Sequence, residues 1–319
     1  MKKQQFTLLI LLCVAASLTV GCGDSHSVPT FNKLAFISER TVSPATPLFV
    51  MNLDGSSVTP IPFSTTSVGF PSVSADLKTV AFLSWNDDNV WVSNADGSTQ
   101  TSLTTDGESY APRISPNGKK IVYSHNDGTQ WGIWIMNADG SGTLNLTSVL
   151  PTGMTDCYVA SFSADSSLIV FTCYSNNSQS TGLYTVKADG TNTTTVATQS
   201  GYFDTPAFTP DGKQILFINY PGASAQSRHG FKRGHIPHRR AAAPTVSTQG
   251  LSSINLDGSN QTLLVANVYE AQILNSTLYY TLYDTTLSLD QIYKANLDGS
   301  GSVSLSDGTA YDYLGLSSD

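Results

Sequence analysis

Charge is what this sequence has least of. Only 13% of its 319 residues are Asp, Glu, Lys or Arg, about half the share usual in soluble domains. Helices need charged residues on their solvated faces, so the shortage argues against a mainly helical fold. Ser, Thr, Gly and Asn fill the gap, as short strands with many turns require. Basic residues number 16 against 24 acidic, for a net charge of −8. No long basic stretch runs through the body of the chain, which argues against nucleic acid as a partner. The apolar run Phe6 to Val20 is only fifteen residues, whereas a bilayer span needs about 20. Catalytic signatures are missing too: there is no Gly-x-Ser-x-Gly elbow, no Walker loop and no His-Glu-x-x-His.

The short apolar run follows a basic start, Met1-Lys2-Lys3, and ends in small residues before Cys22. That order reads as a secretory signal. Leu18-Thr19-Val20-Gly21-Cys22 resembles a bacterial lipoprotein signal, in which a small residue precedes a Cys that is lipidated and becomes the new N-terminus. The resemblance implies a signal over 1–21, a lipid on Cys22 and a tether over 22–30. The alternative is an ordinary cleaved signal. Gly23 rather than Asp after the Cys implies, in a diderm bacterium, the outer membrane facing the periplasm. Several buried acyl chains make a lasting anchor, at about 0.8 kcal/mol per CH₂. Of the four Cys, Cys157 and Cys173 then remain, an even pair in an oxidising compartment.

One phrase recurs six times: an apolar strand running into Asn-x-Asp-Gly or a near variant. Its copies end at Asp54, Asp96, Asp139, Asp189, Asp257 and Asp298, in steps of 42, 43, 50, 68 and 41 residues. Asp-Gly followed by Ser or Thr is a hairpin signal, and a short polar strand follows each. The Asp residues are therefore turn formers rather than a metal-ligand set. A second phrase precedes the first, as in Pro112-Arg-Ile-Ser-Pro-Asn-Gly-Lys119 and Pro206-Ala-Phe-Thr-Pro-Asp-Gly-Lys213. It reads as an inner strand, a tight turn and a second strand. Each repeat thus supplies four strands in about 42 residues, which is propeller spacing. Lys33 to Ser38 is a second strand without its inner partner, and Leu314 to Asp319 is an inner strand without the rest. The expected fold is all-β: a six-bladed β-propeller over 31–319, closed by pairing of the C-terminal strand with the N-terminal blade. The 68-residue step marks a basic insertion loop at 221–250. Five basic residues and three His (His229, His235, His238) fall in 13 of its positions. It reads as a surface excursion, with docking to an acidic partner or lipid headgroups, or metal uptake, as alternatives.

The two phrases together resemble the TolB-type propeller repeats, a WD-like family of exported bacterial proteins. The resemblance covers about 31–319 and implies a propeller in the cell envelope. It does not extend to the small α/β domain that family members called TolB carry in front, since only the tether precedes Phe31.

Aligning the repeats exposes a candidate site. The residues just before each inner strand would converge on one channel mouth, and five of the six segments carry a carboxylate: Glu108, Asp156, Asp204, Glu270 and Asp312. Tyr110, Tyr158 and Tyr269 lie beside them, and Arg113 would balance one charge. Gathered acids create a negative funnel suited to a cation or a basic peptide. Acids scattered by chance in an acidic protein are the competing explanation. Cys157 and Cys173 each lie eight residues from the turn at Asp165, so a disulfide across the hairpin is expected, with two free thiols as the alternative. His125 reads as a solvated loop residue. Phe49, Trp91, Trp134 and Tyr184 share one strand position and read as packing between blades rather than a sugar platform. The function expected is non-catalytic binding of an envelope protein or peptide, by a monomer tied to the membrane through its lipid, with no cofactor. A metal-assisted hydrolase or lyase on glycans, and a propeller holding Ca²⁺ or another cation in its channel, are the alternatives.

Overall fold

Five of the six Asp-Gly turns fall within the described residues, and they share one geometry. The computed structural model describes residues 33–38, 48–52, 59–60, 68–76, 78–175, 180–221, 249–284, 289–304 and 312–313. In each turn the Gly has a φ between 81° and 85°, which a side chain would resist. The Asp Oδ1 accepts the N–H two residues on, from Ser98, Ser141, Thr191, Ser259 and Ser300, each at 2.9 Å. Hydrogen bonds from those Ser and Thr hydroxyls and N–H groups hold the five carboxyls below the usual range. A carboxyl whose folded pKa is depressed stabilises the fold above its unfolded pKa, and that contribution is lost as pH falls through the folded value. The urea midpoint should therefore drop as pH is taken below about 4, and Asp139→Asn with Asp189→Asn should flatten that drop. An unchanged midpoint from pH 5 to 2.5 would show that these turns contribute nothing.

The strands form four-stranded antiparallel units, with no helix among the described residues. A typical unit runs Ser109–Ile114, Lys120–Asn126, Trp131–Asn137 and Leu144–Asn145, from inner to outer strand. Two units join into one seven-stranded sheet because Thr194–Phe208 is the outer strand of one and the inner strand of the next. The first unit, Lys33–Ser38 to Thr59–Pro60, has no inner strand from its own repeat. Asp312–Tyr313 pairs there instead, against Ser38 and Ile37. The sequence reading put this strand at Leu314 to Asp319. The observed pairing is made just ahead of it, and 314–319 lie outside the described residues, as do 1–32, most of the basic insertion (222–248) and Asp54.

The core lies between successive sheets. Along the second strand Leu168–Ser175, Ile169 and Phe171 pack with Ile133 and Ile135 of the preceding sheet, while Val170 packs with Phe203 and Phe217 of the following one. Both faces are covered, which is why the second strands read as unbroken apolar runs rather than alternating ones. The shared aromatic position pairs across each sheet: Phe82 stands opposite Trp91, Tyr123 opposite Trp134, and Phe171 opposite Tyr184. The last pair stacks at 5.6 Å. The aromatic column is thus partly a cross-strand device inside each sheet, in addition to inter-sheet packing. Cys157 and Cys173 face each other in register and form a disulfide, so the free-thiol alternative falls away.

Candidate functional site

The inner strands are not straight. In five of them the pairing slips at one position, between Gly69 and Ser72, Tyr110 and Arg113, Tyr158 and Ala160, Asp204 and Ala207, and Val268 and Glu270. At four of these bulges the backbone is left-handed without glycine: Phe70 (φ 52°), Ala111 (46°), Val159 (44°) and Thr205 (42°). Such a conformation is rare, and for β-branched Val159 and Thr205 it is strained, at a cost on the order of 1–3 kcal/mol each. Side chains hold it in place. The Val159 N–H donates to Ser124 Oγ of the preceding sheet at 3.2 Å, and the Thr205 N–H to Asp204 Oδ1 at 2.9 Å. The Ile114 N–H donates to Ser72 Oγ, also across two sheets, at 3.1 Å. Bulges of this kind re-aim side chains next to sites.

The predicted acids separate into two levels. Glu108 and Asp156 lie three residues before the bulge, half-buried, and each is tied locally. Glu108 accepts from Asn126 Nδ2 at 3.2 Å. Asp156 accepts the Trp131 N–H of the preceding sheet at 3.1 Å and the Thr155 hydroxyl at 3.0 Å. Asp204 and Glu270 instead flank the bulge and are 2% and 6% exposed. Glu270 accepts from Thr281 Oγ1 at 3.3 Å. The side chains of Tyr269 and Asp312 lie outside the described residues. Tyr110 is buried against Phe70 and Trp85 (ring centres 4.5 and 6.0 Å). Gly69 is needed there, since a Cβ would meet Trp85 at 2.5 Å. Tyr158 packs on Trp131, and burial followed by the Asp156 charge pushes its phenol well above the usual range.

Arg113 is the residue that joins these groups. It lies two positions past its bulge, where the neighbouring repeats carry Ser72, Ser161 and Ala207. Its Nη1 donates to the Pro112 carbonyl at 3.0 Å and the Phe70 carbonyl at 3.4 Å, with the guanidinium 6.0 Å from the Phe70 ring centre. Burial pushes its pKa down to about 10, against the pull of Tyr110, Glu270 and Asp204, so it stays cationic at neutral pH. The inner strands enclose a cavity of about 220 Å³, reaching from the bulges to the turns at Pro116 and Pro210. Among the described residues Arg113 is the one charged side chain lining it; Asp204 and Glu270 are buried outside the lining. Sequence reasoning placed Arg113 near the acids but missed its position on the cavity wall and missed Thr205. The available signal was the repeat alignment, in which Arg113 is a charge in a column of small residues.

His125 departs from its expected loop position. Lys120–Asn126 runs far enough to include it. Its ring packs edge-on to Trp134 at 4.9 Å, with Ser109 Oγ 3.3 Å from Nδ1 and Asp106 Oδ2 3.6 Å from Nε2. Among the described residues no three His, Cys, Asp or Glu side chains gather as a metal would require.

The repeat geometry matches a known family model, the TolB beta propeller domain, over residues 29–234. The chain belongs to the TolB beta propeller family. No curated protein matches it. Among solved structures, this TolB-type propeller is similar to TolB from Acinetobacter baumannii, with a TM-score of 0.67 and 14% identity over 89% of this chain. It spans 65% of that protein's length. A putative TolB from Agrobacterium tumefaciens has a TM-score of 0.56 and 17% identity, covering 87% of this chain and 89% of that one. An oligogalacturonate lyase in complex with manganese has a TM-score of 0.55 and 14% identity, covering 87% and 74%. At these identities the likeness is one of fold.

Proposed function

We propose that this TolB-type propeller is an exported binding protein of the bacterial cell envelope, lipid-anchored at Cys22, that holds a protein or peptide partner at one end of its channel. The ring has six blades, closed where Asp312–Tyr313 pairs with Ile37 and Ser38. The observation that carries this reading is the channel itself: a pre-formed cavity among the inner strands, with Arg113, Asp204 and Glu270 from three strands interacting around it. Rigid strands with locked bulges present these groups in a fixed arrangement, which lowers the ordering cost of binding. Glu108 and Asp156 form the acidic rim that meets a basic segment of the partner, and the repeat alignment adds Asp312 to that group. The monomer needs no cofactor for this role. The second reading, a glycan lyase, has the manganese-bound oligogalacturonate lyase likeness in its favour. The donor set among the described residues does not support it, and neither does it support a resident Ca²⁺.

The test is a crosslinked pull-down from native membranes, comparing wild type with Glu108→Gln/Asp156→Asn/Asp312→Asn. One envelope protein held by wild type and lost with the variant, at unchanged melting temperature, is the expected result. No partner with either bait would remove the binding reading. Cys22→Ser should release the protein from the membrane fraction.

A further inference from the structure

The cavity on the turn side of the bulges does not share the acidic character of the rim. Among the described residues that line it, only Arg113 carries charge. That guanidinium spends Nη1 on two backbone carbonyls, and among the described residues Nε and Nη2 have neither an acceptor nor an ion-pair partner within 4 Å. Thr205 adds a buried hydroxyl with no hydrogen-bond partner on the same wall. The rest of the wall mixes apolar residues, among them Ile114, Phe162 and Phe208, with polar ones such as Ser72, Ser161 and Gln272. A cation with forked donors at the edge of a small chamber that has an apolar part matches a planar anion on a short aliphatic body. We infer that this cavity is a carboxylate-binding site, with Arg113 gripping one carboxylate and the apolar side chains of Ile114, Phe162 and Phe208 holding the carbon chain behind it.

Charge limits what the site takes. Asp204 and Glu270 interact electrostatically with Arg113 without bonding it directly, and both are buried. Their carboxylates already offset the guanidinium, so an anion here is held by the forked donors rather than by net charge, and a dianion such as phosphate meets twice the repulsion of a monocarboxylate. The volume, about 220 Å³, has room for a body of roughly seven waters at about 30 Å³ each, which suits a four-carbon acid. The carboxylate could belong to a free organic acid or to the end of a peptide chain. The inference is independent of the acidic rim, because the chamber extends toward the opposite ends of the inner strands.

The test uses the whole mature protein and ligand-observed NMR titration. The probes are sodium butyrate, neutral butyramide, sodium phosphate, and N-acetyl-Ala-Ala with a free or an amidated C-terminus. Butyrate, the free-acid peptide or both should bind saturably, and butyramide, phosphate and the amidated peptide should not. Binding by the peptide alone identifies a chain terminus as the source, and binding by butyrate identifies a small acid. Arg113→Gln should weaken binding about tenfold or more. Should that variant fold poorly, Ala207→Leu fills the chamber while leaving the charge, and should abolish binding. The inference is overturned if neither acid binds, if butyramide binds as well as butyrate, or if the folded variants retain wild-type affinity.

Discussion

Truncation before Asp312 should leave a chain that no longer unfolds in one cooperative step. The strand Lys33–Ser38 would keep Leu48–Asn52 on one side and lose Tyr313 and Asp312 on the other. What remains is an open sheet edge at Lys33–Ser38, a template for pairing with another chain. The effect is global because each sheet buries its faces only against its neighbours, as Ile169 and Val170 do on opposite sides of one strand. Total stability of a domain is on the order of 5–15 kcal/mol, so if the proposed ring opens at this edge the loss is a large share of it. Calorimetry and size-exclusion chromatography should show a broad, low-temperature transition and aggregates. An unchanged sharp melt would refute ring closure. The control is removal of 224–247. Asn219 already pairs with Gly250, so the ladder on either side of the insertion stands without it, and the melt should be preserved.

Phe171→Ala should cost about 3–5 kcal/mol, the usual penalty for emptying a large buried aromatic site. Phe171 is fully buried, stacks on Tyr184, and shares a cluster with Ile133 and Ile135 of the preceding sheet. Its removal opens a void that neither sheet can close, because the neighbouring Cys157–Cys173 bridge fixes the hairpin on which it sits. Urea unfolding at constant slope would report the loss as a lower midpoint. Val149→Ala, at a side chain 87% exposed, should stay within about 0.5 kcal/mol. A Phe171→Ala cost no larger than that of Val149→Ala would mean that the inter-sheet core is looser than its geometry indicates.

Much of the candidate site was legible in the chain, but not its layering. The repeat alignment put Glu108, Asp156, Asp204 and Glu270 near the inner strands, and that is where they lie. It treated them as equivalent because each precedes an inner strand by a few residues. The bulges break that equivalence. A shift of one or two positions relative to the bulge moves a side chain from the rim into the interior, so Asp204 and Glu270 are buried while Glu108 and Asp156 are half-exposed. Nothing local to Phe70, Val159 or Thr205 announces a positive φ, since none of them favours it. The same limit explains His125, whose burial depends on Trp134 across the strand pair and on Asp106 beyond it.

The sequence by itself determined the repeat, the turns and the strand order. These depend on local chemistry: Asp-Gly turns closed by their own Ser or Thr, apolar runs of strand length, and a spacing of about 42 residues. It also pointed to the Cys157–Cys173 bridge with free thiols as the alternative, and the bulge between Tyr158 and Ala160 is what brings the two Cys into register. Only the tertiary structure decided which charges reach the cavity. That choice rests on strands from different repeats meeting at bulges, with Arg113 on the wall and two carboxylates behind it. Burial and electrostatic coupling between residues as far apart in the chain as Arg113 and Glu270 are properties of the assembled sheets, and no local pattern encodes them.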